Sequence, residues 1–426
     1  MKNDGVLLLG ADYYGTLAAA RCYGKRGIRV TMADESKRAR ALYSRHVAEK
    51  LVHPPISRPE ELIDWLVSWG RAHPGTLLYP PNDHLSWLFA AHREALAEAF
   101  VMYSPSEEAI LTLLDKKRMH DACADPAVDI DVPHTLALGE QGAEAPVADD
   151  LRYPVLLKPR TQVFLESGIK GFIVHDRAAL AAELARYRQL VAFNRVLTER
   201  HPDIAEPMVQ EYLVAAETSI FSVSGFVTDG GEIIPRAAMK VLQRPRKVGI
   251  GLCFEGRAVE PILVEKLGAL CKKIGYRGAF ESEFIADGDR RLLIDFNPRF
   301  YSQMGFDIAR GLPLPILVWH AARGERAELE RELASARAWT ASGDEVYCHK
   351  TMLELVLTLQ GMSGQMSRGD VRKWRDWHAF ARRRDAATDA VRDPDDRMPA
   401  VIDAASWVQH FAKHPRSFVR SFVYNR

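Results

Sequence analysis

Two β-like segments late in the chain, joined by a short acidic turn, constrain the fold more than any other part of the sequence. The first segment contains Glu283, the turn is Asp287-Gly288-Asp289, and the second segment contains Asp295 and Asn297. Side chains of a strand alternate between its two faces, so residues two positions apart point the same way. A turn of this composition predicts a hairpin, in which Glu283, Asp295 and Asn297 converge.

The converging side chains offer three oxygen donors, which are the hard ligands that Mg²⁺ prefers. Carboxylates at strand ends are more often solvated or ion-paired, so the pattern alone leaves both interpretations open. Arg299 continues the same alternation beyond Asn297 and adds a planar guanidinium that suits phosphate or carboxylate. We therefore predict a site for a metal ion and an anion at the end of the hairpin.

The composition excludes several classes of protein. A chain of 426 residues corresponds to about three domains. The apolar fraction of 47% and the charged fraction of 27% are ordinary for a globular protein. A net charge of +1 does not indicate binding to nucleic acid or to a membrane surface. The cysteines are scattered without a CxxC pair, and no apolar segment approaches a membrane-spanning length. A cytoplasmic protein without nucleic-acid or membrane partners is expected.

The N-terminal region alternates strand-like and helix-like segments. A buried strand over residues 5–9 precedes a glycine turn, a helix over 16–26 and a second strand that ends at Asp34. This βαβ opening predicts a parallel sheet. Tyr13 stands where a dinucleotide-binding fingerprint needs a glycine, so a turn that permits close packing is favoured over nucleotide binding.

Further along, Asp83 follows a stiff proline turn at the end of a strand. Open α/β sheets place ligands at such ends, whereas an aspartate before a helix is a common N-cap. The cap is the favoured interpretation.

Lysines recur at the ends of predicted elements in the middle of the chain. Lys116 opens a helix, and Lys158 ends an apolar strand before a loop that contains Gly168, Lys170 and Gly171. Buried lysines need partners, and lysines together with metal ions could neutralise a triphosphate. A lone lysine on a strand is more often a surface group, so this pattern alone does not decide between the two roles.

Taken in order, the motifs resemble those of the ATP-grasp superfamily. They are Asp115-Lys116, the PVLLKP segment around Lys158, VQEYL at residues 209–213, Glu283, and the Asp295-Phe-Asn297-Pro-Arg299 segment. The preceding region resembles the pre-ATP-grasp domain of the carboxylate–amine ligase branch, which includes D-aspartate ligase-like proteins. The resemblance covers residues 5–320.

The resemblance implies an α/β (α+β) protein with an ATP-grasp fold. A Rossmann-like pre-ATP-grasp domain is expected over residues 1–114, and a small ATP-grasp subdomain with a lid loop over 115–206. The catalytic subdomain is expected over 207–325, followed by a mostly helical C-terminal region over 326–426.

The resemblance also implies roles for individual residues. ATP is expected to contact Lys116, Lys158, Lys170, Gln210, Glu211, Tyr212, Leu213 and, through its ribose, Glu217. Two Mg²⁺ ions, with Mn²⁺ as the alternative metal, would be held by Glu283, Asp295 and Asn297. The catalytic residues are expected to be Arg299 and Lys240. Position in the chain, rather than the resemblance, suggests substrate contacts for Arg236, Arg246, Tyr301 and Gln303.

Two departures from the family pattern stand out. Asp295 lies where relatives usually have glutamate, and the loop after Lys158 lacks their triple-glycine run.

The activity that the resemblance implies is the joining of a small-molecule carboxylate to an amine through an acyl phosphate, with release of ADP and phosphate. An ATP-grasp carboxylase or kinase and a non-catalytic nucleotide-binding protein stay open as alternatives, and a homodimer is compatible with the sequence.

Overall fold

The computed structural model describes residues 5–137, 152–244, 251–383 and 387–423, which form three β-sheets with helices packed on them. One sheet is parallel, one is antiparallel, and the largest is antiparallel except at one edge. The predicted α/β class is confirmed. Within the described ranges, no helix has both the length and the apolar composition needed to cross a bilayer.

The N-terminal part is a parallel sheet of order β3-β2-β1-β4-β5. The predicted βαβ opening is confirmed, and the central strand is completely buried, as expected when helices cover both faces of a parallel sheet. The strands are β1 (Gly5–Leu9), β2 (Arg29–Asp34), β3 (Val47–Val52), β4 (Leu77–Leu78) and β5 (Val101–Met102). The helices are α1 (Tyr14–Lys25), α2 (Pro59–Ala72), α3 (Asp83–Ala91) and α4 (Arg93–Ala97).

The glycine turn after β1 is held by groups of the protein itself. The Asp34 carboxylate accepts hydrogen bonds from the backbone N–H groups of Ala11 and Ser36 at 2.7 and 2.9 Å. A Cβ atom at Gly15 would lie 2.3 Å from the carbonyl oxygen of Tyr301, so glycine is required there for close packing. Close packing at the turn is therefore present, but its partner is the segment that contains Tyr301 rather than the parallel sheet.

The middle part is an antiparallel sheet of order β6-β9-β7-β8. Asp115 caps the helix that begins with Lys116, because its Oδ1 accepts from the backbone N–H of Lys117 at 3.0 Å. The elements in chain order are α5 (Glu107–Leu114), α6 (Lys116–Cys123), β6 (Thr135–Ala137), β7 (Val155–Lys158), β8 (Phe172–Val174), α7 (Arg177–Leu190), α8 (Arg195–Thr198) and β9 (Met208–Glu211).

The largest sheet has the order β14-β13-β10-β11-β12-β15-β16. Its strands are β10 (Ile220–Val227), β11 (Ile233–Gln243), β12 (Gly251–Arg257), β13 (Gly278–Asp287), β14 (Arg290–Asn297), β15 (Val346–Cys348) and β16 (Ala387–Asp389). The helices are α9 (Pro261–Ile274), α10 (Met304–Ala309), α11 (Leu314–Arg323), α12 (Arg326–Ala338), α13 (Lys350–Met362), α14 (Arg368–Arg383), α15 (Met398–Lys413) and α16 (Pro415–Phe418). The C-terminal region is therefore mostly helical, as predicted, and it also adds β15 and β16 to the sheet.

A buried ion pair fastens the C-terminal region to the parallel sheet. Arg21 of α1 donates to the Asp396 carboxylate at 2.8 Å, and the same carboxylate accepts from Ser44 Oγ at 2.7 Å and the Arg45 backbone at 2.9 Å. Burial raises the pKa of Asp396, but these donors outweigh burial and hold the pKa below its ordinary value. The carboxylate is therefore ionised at neutral pH and stabilises the fold.

We expect Asp396→Ala to lower the free energy of unfolding by about 3–5 kcal/mol, because the buried Arg21 guanidinium loses its counter-charge. The change is measured by urea denaturation followed through tryptophan fluorescence. Asp395→Ala, at the exposed neighbouring position, is the control and should change the free energy by less than about 0.5 kcal/mol.

The same ion pair predicts how the free energy of unfolding changes at acidic pH. The folded pKa of Asp396 is depressed, so its stabilisation is present above the unfolded pKa of about 4 and is lost as pH falls through the folded value. The difference between wild type and Asp396→Ala should shrink below about pH 4. A difference that is independent of pH would contradict the assignment.

Candidate active site

The predicted hairpin is present and its register brings four polar residues together. In the β13–β14 pair, Glu283 lies opposite Asp295 and Glu281 lies opposite Asn297. Gly288 in the connecting turn has a φ of 59°, a left-handed conformation that favours glycine. Directly paired residues of antiparallel strands share a face, so these four side chains form one patch.

Each carboxylate of the predicted metal set is paired with a lysine. Lys116 Nζ donates to Asp295 Oδ1 at 2.5 Å, and Lys240 Nζ donates to Glu283 Oε1 at 2.5 Å. Burial lowers the pKa of each lysine, but the partner carboxylate outweighs burial, so the pKa of both lysines is raised. Two lysines from different parts of the chain therefore meet the hairpin as cations.

Lys158, at the end of β7, lacks such compensation. Its Nζ donates to Gln210 Oε1 at 2.7 Å, and Gln210 in turn donates to Thr135 Oγ1 at 3.2 Å. No carboxylate of the described residues lies within ion-pairing distance of Lys158. Burial and then repulsion from Lys116 lower the pKa of Lys158 to about 7. An anion bound beside it would favour its charged form.

Arg299 links the hairpin to the N-terminal part. Its Nε donates to Asp83 Oδ1 at 2.6 Å, and its Nη2 donates to Asn297 Oδ1 at 2.6 Å. Burial lowers the pKa of Arg299, but Asp83 outweighs burial and the pKa is raised. The guanidinium is therefore charged and held in place on two sides.

The favoured role of Asp83 as a helix cap is wrong. Asn82 is the N-cap of α3, and its side chain accepts from the backbone N–H of Leu85 at 2.9 Å. Asp83 is the first helical residue, and its carboxylate is engaged by Arg299 instead. It belongs to the candidate site.

Glu281 is a member of the site that the sequence interpretation missed. It is 3% exposed, and its two oxygens accept from Asn297 Nδ2 at 2.6 Å and Gln303 Nε2 at 2.5 Å. Burial, followed by repulsion from Glu283, raises the pKa of Glu281 to about 8. The alternation that selected Glu283 also selects the residue two positions before it, so the same rule could have found Glu281.

Tyr301 and Arg236, two of the predicted substrate contacts, are engaged by other groups. The Tyr301 hydroxyl, in a buried side chain, donates to the Asp307 carboxylate. The Arg236 guanidinium donates to the backbone carbonyl oxygens of Arg310 at 3.0 Å and Ala336 at 2.9 Å. Their substrate roles stay predictions.

The segment predicted to hold adenine, residues 210–213, begins in β9 and continues beyond its end. The Glu211 carboxylate accepts from the backbone N–H of His134 at 2.8 Å, and Arg290 lies 3.5 Å from it. Partly buried positions follow at Tyr212, Leu213 and Glu217. In the loop between β7 and β8, the Lys170 side chain is exposed. Arg246, a further predicted substrate contact, lies outside the described residues.

The chemistry of the donor set fits a magnesium–triphosphate group. Two carboxylates and the Asn297 amide supply oxygen donors, and Lys116, Lys158 and Arg299 supply adjacent cations. Of these cations, Lys158 forms no ion pair among the described residues. The described residues include no group of three His, Cys, Asp or Glu side chains placed to hold a metal ion. A metal ion bound here would therefore take the amide oxygen as a ligand. It would compete with two lysines for the carboxylates and with Arg299 for the amide oxygen.

No protein-family model and no curated protein sequence matches the chain. Its architecture is nevertheless similar to that of solved structures. A biotin carboxylase from Campylobacter jejuni superposes with a TM-score of 0.60 at 18% identity, covering 75% of this chain and 71% of that one. An L-amino acid ligase from Bacillus licheniformis gives a TM-score of 0.55 at 13% identity, covering 76% of this chain and 75% of that one. A phosphoribosylglycinamide synthetase from Anaerococcus prevotii gives a TM-score of 0.55 at 14% identity, covering 80% of this chain and 79% of that one.

The low pKa of Lys158 makes a prediction about nucleotide affinity. Because its pKa lies at about 7, raising the pH from about 6 to about 8 removes most of its charge, which should weaken ATP binding by up to about tenfold. Isothermal titration calorimetry at constant Mg²⁺ measures the affinity.

Lys158→Arg is the informative variant because arginine stays charged throughout this range. Its pH profile should be flatter than that of wild type. Lys117→Arg, at a neighbouring lysine that is paired with Asp121, should keep the wild-type profile. Identical profiles for Lys158→Arg and wild type would contradict the role given to Lys158.

Proposed function

Because the chain has the ATP-grasp fold, which these solved structures share, we propose that it is an ATP-dependent ligase that joins a carboxylate to an amine. One observation carries the proposal. Four cations, contributed by Lys116, Lys158, Lys240 and Arg299, meet the carboxylates of Glu283 and Asp295 on one face of the β13–β14 hairpin. A site with this charge pattern suits phosphoryl transfer, which depends chiefly on positioning and charge neutralisation.

In this proposal the lysines of the middle part bind the phosphates. Lys158 forms no ion pair in the described part of the chain, so a bound phosphate oxygen supplies its ion-pair partner. Lys116 exchanges Asp295 for a phosphate oxygen when that carboxylate ligates metal. Residues 210–213 line the adenine, Glu217 contacts the ribose, and the loop with Lys170 closes over the nucleotide.

Glu283, Asp295 and Asn297 are the residues that would hold Mg²⁺, with two ions expected and Mn²⁺ as the alternative. When bound, the metal neutralises phosphate charge that develops during transfer. Glu281 has a positioning role toward this set. By accepting from the Asn297 amide nitrogen it directs the amide oxygen, which would ligate the metal, toward Arg299 and away from itself.

The chemistry begins from a poor acyl donor, since direct displacement from a carboxylate would expel oxide. The substrate carboxylate attacks the γ-phosphorus of ATP and ADP leaves, which converts the carboxylate into an acyl phosphate. The amine then attacks the carbonyl carbon, phosphate leaves, and an amide forms. Arg299, which is held by Asp83 and Asn297, would stabilise the negative charge on the transferred phosphoryl group.

The test is a phosphate-release assay on the purified protein with ATP, Mg²⁺ and a grid of small carboxylates and amino acids. The proposal expects ADP and phosphate only when a carboxylate and an amine are both present. Turnover that depends on bicarbonate would favour the carboxylase alternative. Tight ATP binding without turnover for any pair would favour a nucleotide-binding protein.

We expect Asp295→Asn to lower turnover by roughly 100-fold or more, because it removes a charged metal ligand together with the partner of Lys116. Turnover is measured by phosphate release, and the thermal unfolding midpoint reports the fold. Asp289→Asn, an exposed position in the turn of the same hairpin, is the matched control and should keep wild-type activity. Full activity in Asp295→Asn would contradict the metal assignment.

A further inference from the structure

A cavity of about 560 Å³ lies on the large sheet, away from the hairpin patch. Its walls come from β11, β12, the end of α12 and the segment that follows α12. The lining residues include Arg236, Gly256, Arg310, Trp339 and Glu345. The volume is in the range of sites that hold small organic ligands.

The cavity is separated from the hairpin patch by three strand spacings. Across the sheet, Asn297 pairs with Glu281, Glu281 pairs with Ser224, and Ser224 pairs with Arg236. Adjacent strands are about 4.8 Å apart, so the backbones of Asn297 and Arg236 are about 14 Å apart. A small molecule in the cavity therefore does not occupy the nucleotide site.

Arg236 places in the cavity wall a cation that forms no ion pair with the described residues. It is 6% exposed, and each of its three nitrogens donates to a backbone carbonyl oxygen, at distances of 2.8 to 3.0 Å. Its guanidinium carbon lies 4.5 Å from the centre of the Trp339 ring. Across the described ranges, no carboxylate lies within ion-pairing distance of Arg236. Buried charges are normally paired, so this arrangement is unusual.

A second buried guanidinium in the wall, that of Arg310, is also incompletely satisfied. It is 3% exposed, and it donates to the Asp307 carboxylate and to the Ala237 carbonyl oxygen. Its Nε has no hydrogen-bond partner among the described residues. The nearby Asp307 carboxylate is shared with the hydroxyls of Ser224 and Tyr301.

The carboxylates that line the cavity are engaged elsewhere. Glu345 accepts from the backbone N–H groups of Ser342 and Gly343 at 2.5 and 3.2 Å. Glu232 accepts from Arg337, another residue of the wall. Neither carboxylate forms an ion pair with Arg236, so its guanidinium can form one with a bound anion.

We propose that this cavity binds a small organic anion that carries a carboxylate or a phosphate. The anion accepts hydrogen bonds from the N–H groups of Arg236 that are not used by carbonyls, and its carbon skeleton packs on Trp339. The Arg236 guanidinium is already ordered by its three contacts with backbone carbonyl oxygens, so the anion binds to a preformed site. This proposal is independent of the ligase activity.

The experiment is calorimetric titration of the full chain with succinate and, separately, with inorganic phosphate, at constant ionic strength and with ATP present throughout. Wild type should bind one or both probes at one site. Arg236→Gln should weaken this binding at least tenfold. Arg331→Gln, an exposed arginine of α12 outside the cavity, should bind as wild type does. Tighter binding of succinate identifies a carboxylate ligand, and tighter binding of phosphate identifies a phosphate ligand.

A second variant keeps the proposal testable if Arg236→Gln fails to fold. Ala341→Trp changes an exposed residue of the wall, so it fills the cavity while both arginines stay in place. It should abolish binding without lowering the thermal unfolding midpoint. The proposal is overturned if wild type binds neither probe in the presence of ATP, or if a folded cavity variant binds as tightly as wild type.

Discussion

The register of the β13–β14 pair is the constraint on which the candidate site depends. Glu281 and Glu283 share a face with their partners on β14, while Phe280, Phe284 and Phe296 point to the opposite face and are buried. Phe280 stacks on Phe296 with ring centres 5.2 Å apart. A slip of one residue would exchange the two sets and place carboxylates in the apolar core. Core packing therefore fixes the position of the polar patch.

Charge compensation joins the three sheets around this hairpin. Lys116 comes from the middle part, Lys240 from the large sheet, and Asp83 from the N-terminal part, where it holds Arg299. Each buried charge is costly without its partner, so the same contacts that assemble the site also hold the parts together. Lys158 is the exception: it forms no ion pair among the described residues, and burial and then repulsion from Lys116 lower its pKa.

Local pattern was enough to predict the hairpin, the helix that Lys116 begins, and the α/β class, because each depends on side-chain period and turn composition. It failed where two neighbouring residues suit the same role, as with Asn82 and Asp83, since the backbone conformation decides which one caps the helix. It also missed β16, whose three residues are too few to show alternation. The surroundings of Arg236 depend on how four strands pair with one another. The spacing of residues along the sequence does not reveal that pairing.

A polar row on the large sheet links the hairpin patch to the arginine-lined cavity. Glu281 holds Asn297 and Gln303, and the neighbouring Asp307 accepts from both Ser224 and Arg310. Both acids are buried with each oxygen accepting from a donor, so neither can move without leaving a polar group unsatisfied. Such a row is rigid rather than adaptable. The row holds the Asn297 amide at one end and the Arg310 guanidinium at the other end in fixed positions. Groups in fixed positions are what a preformed binding site requires.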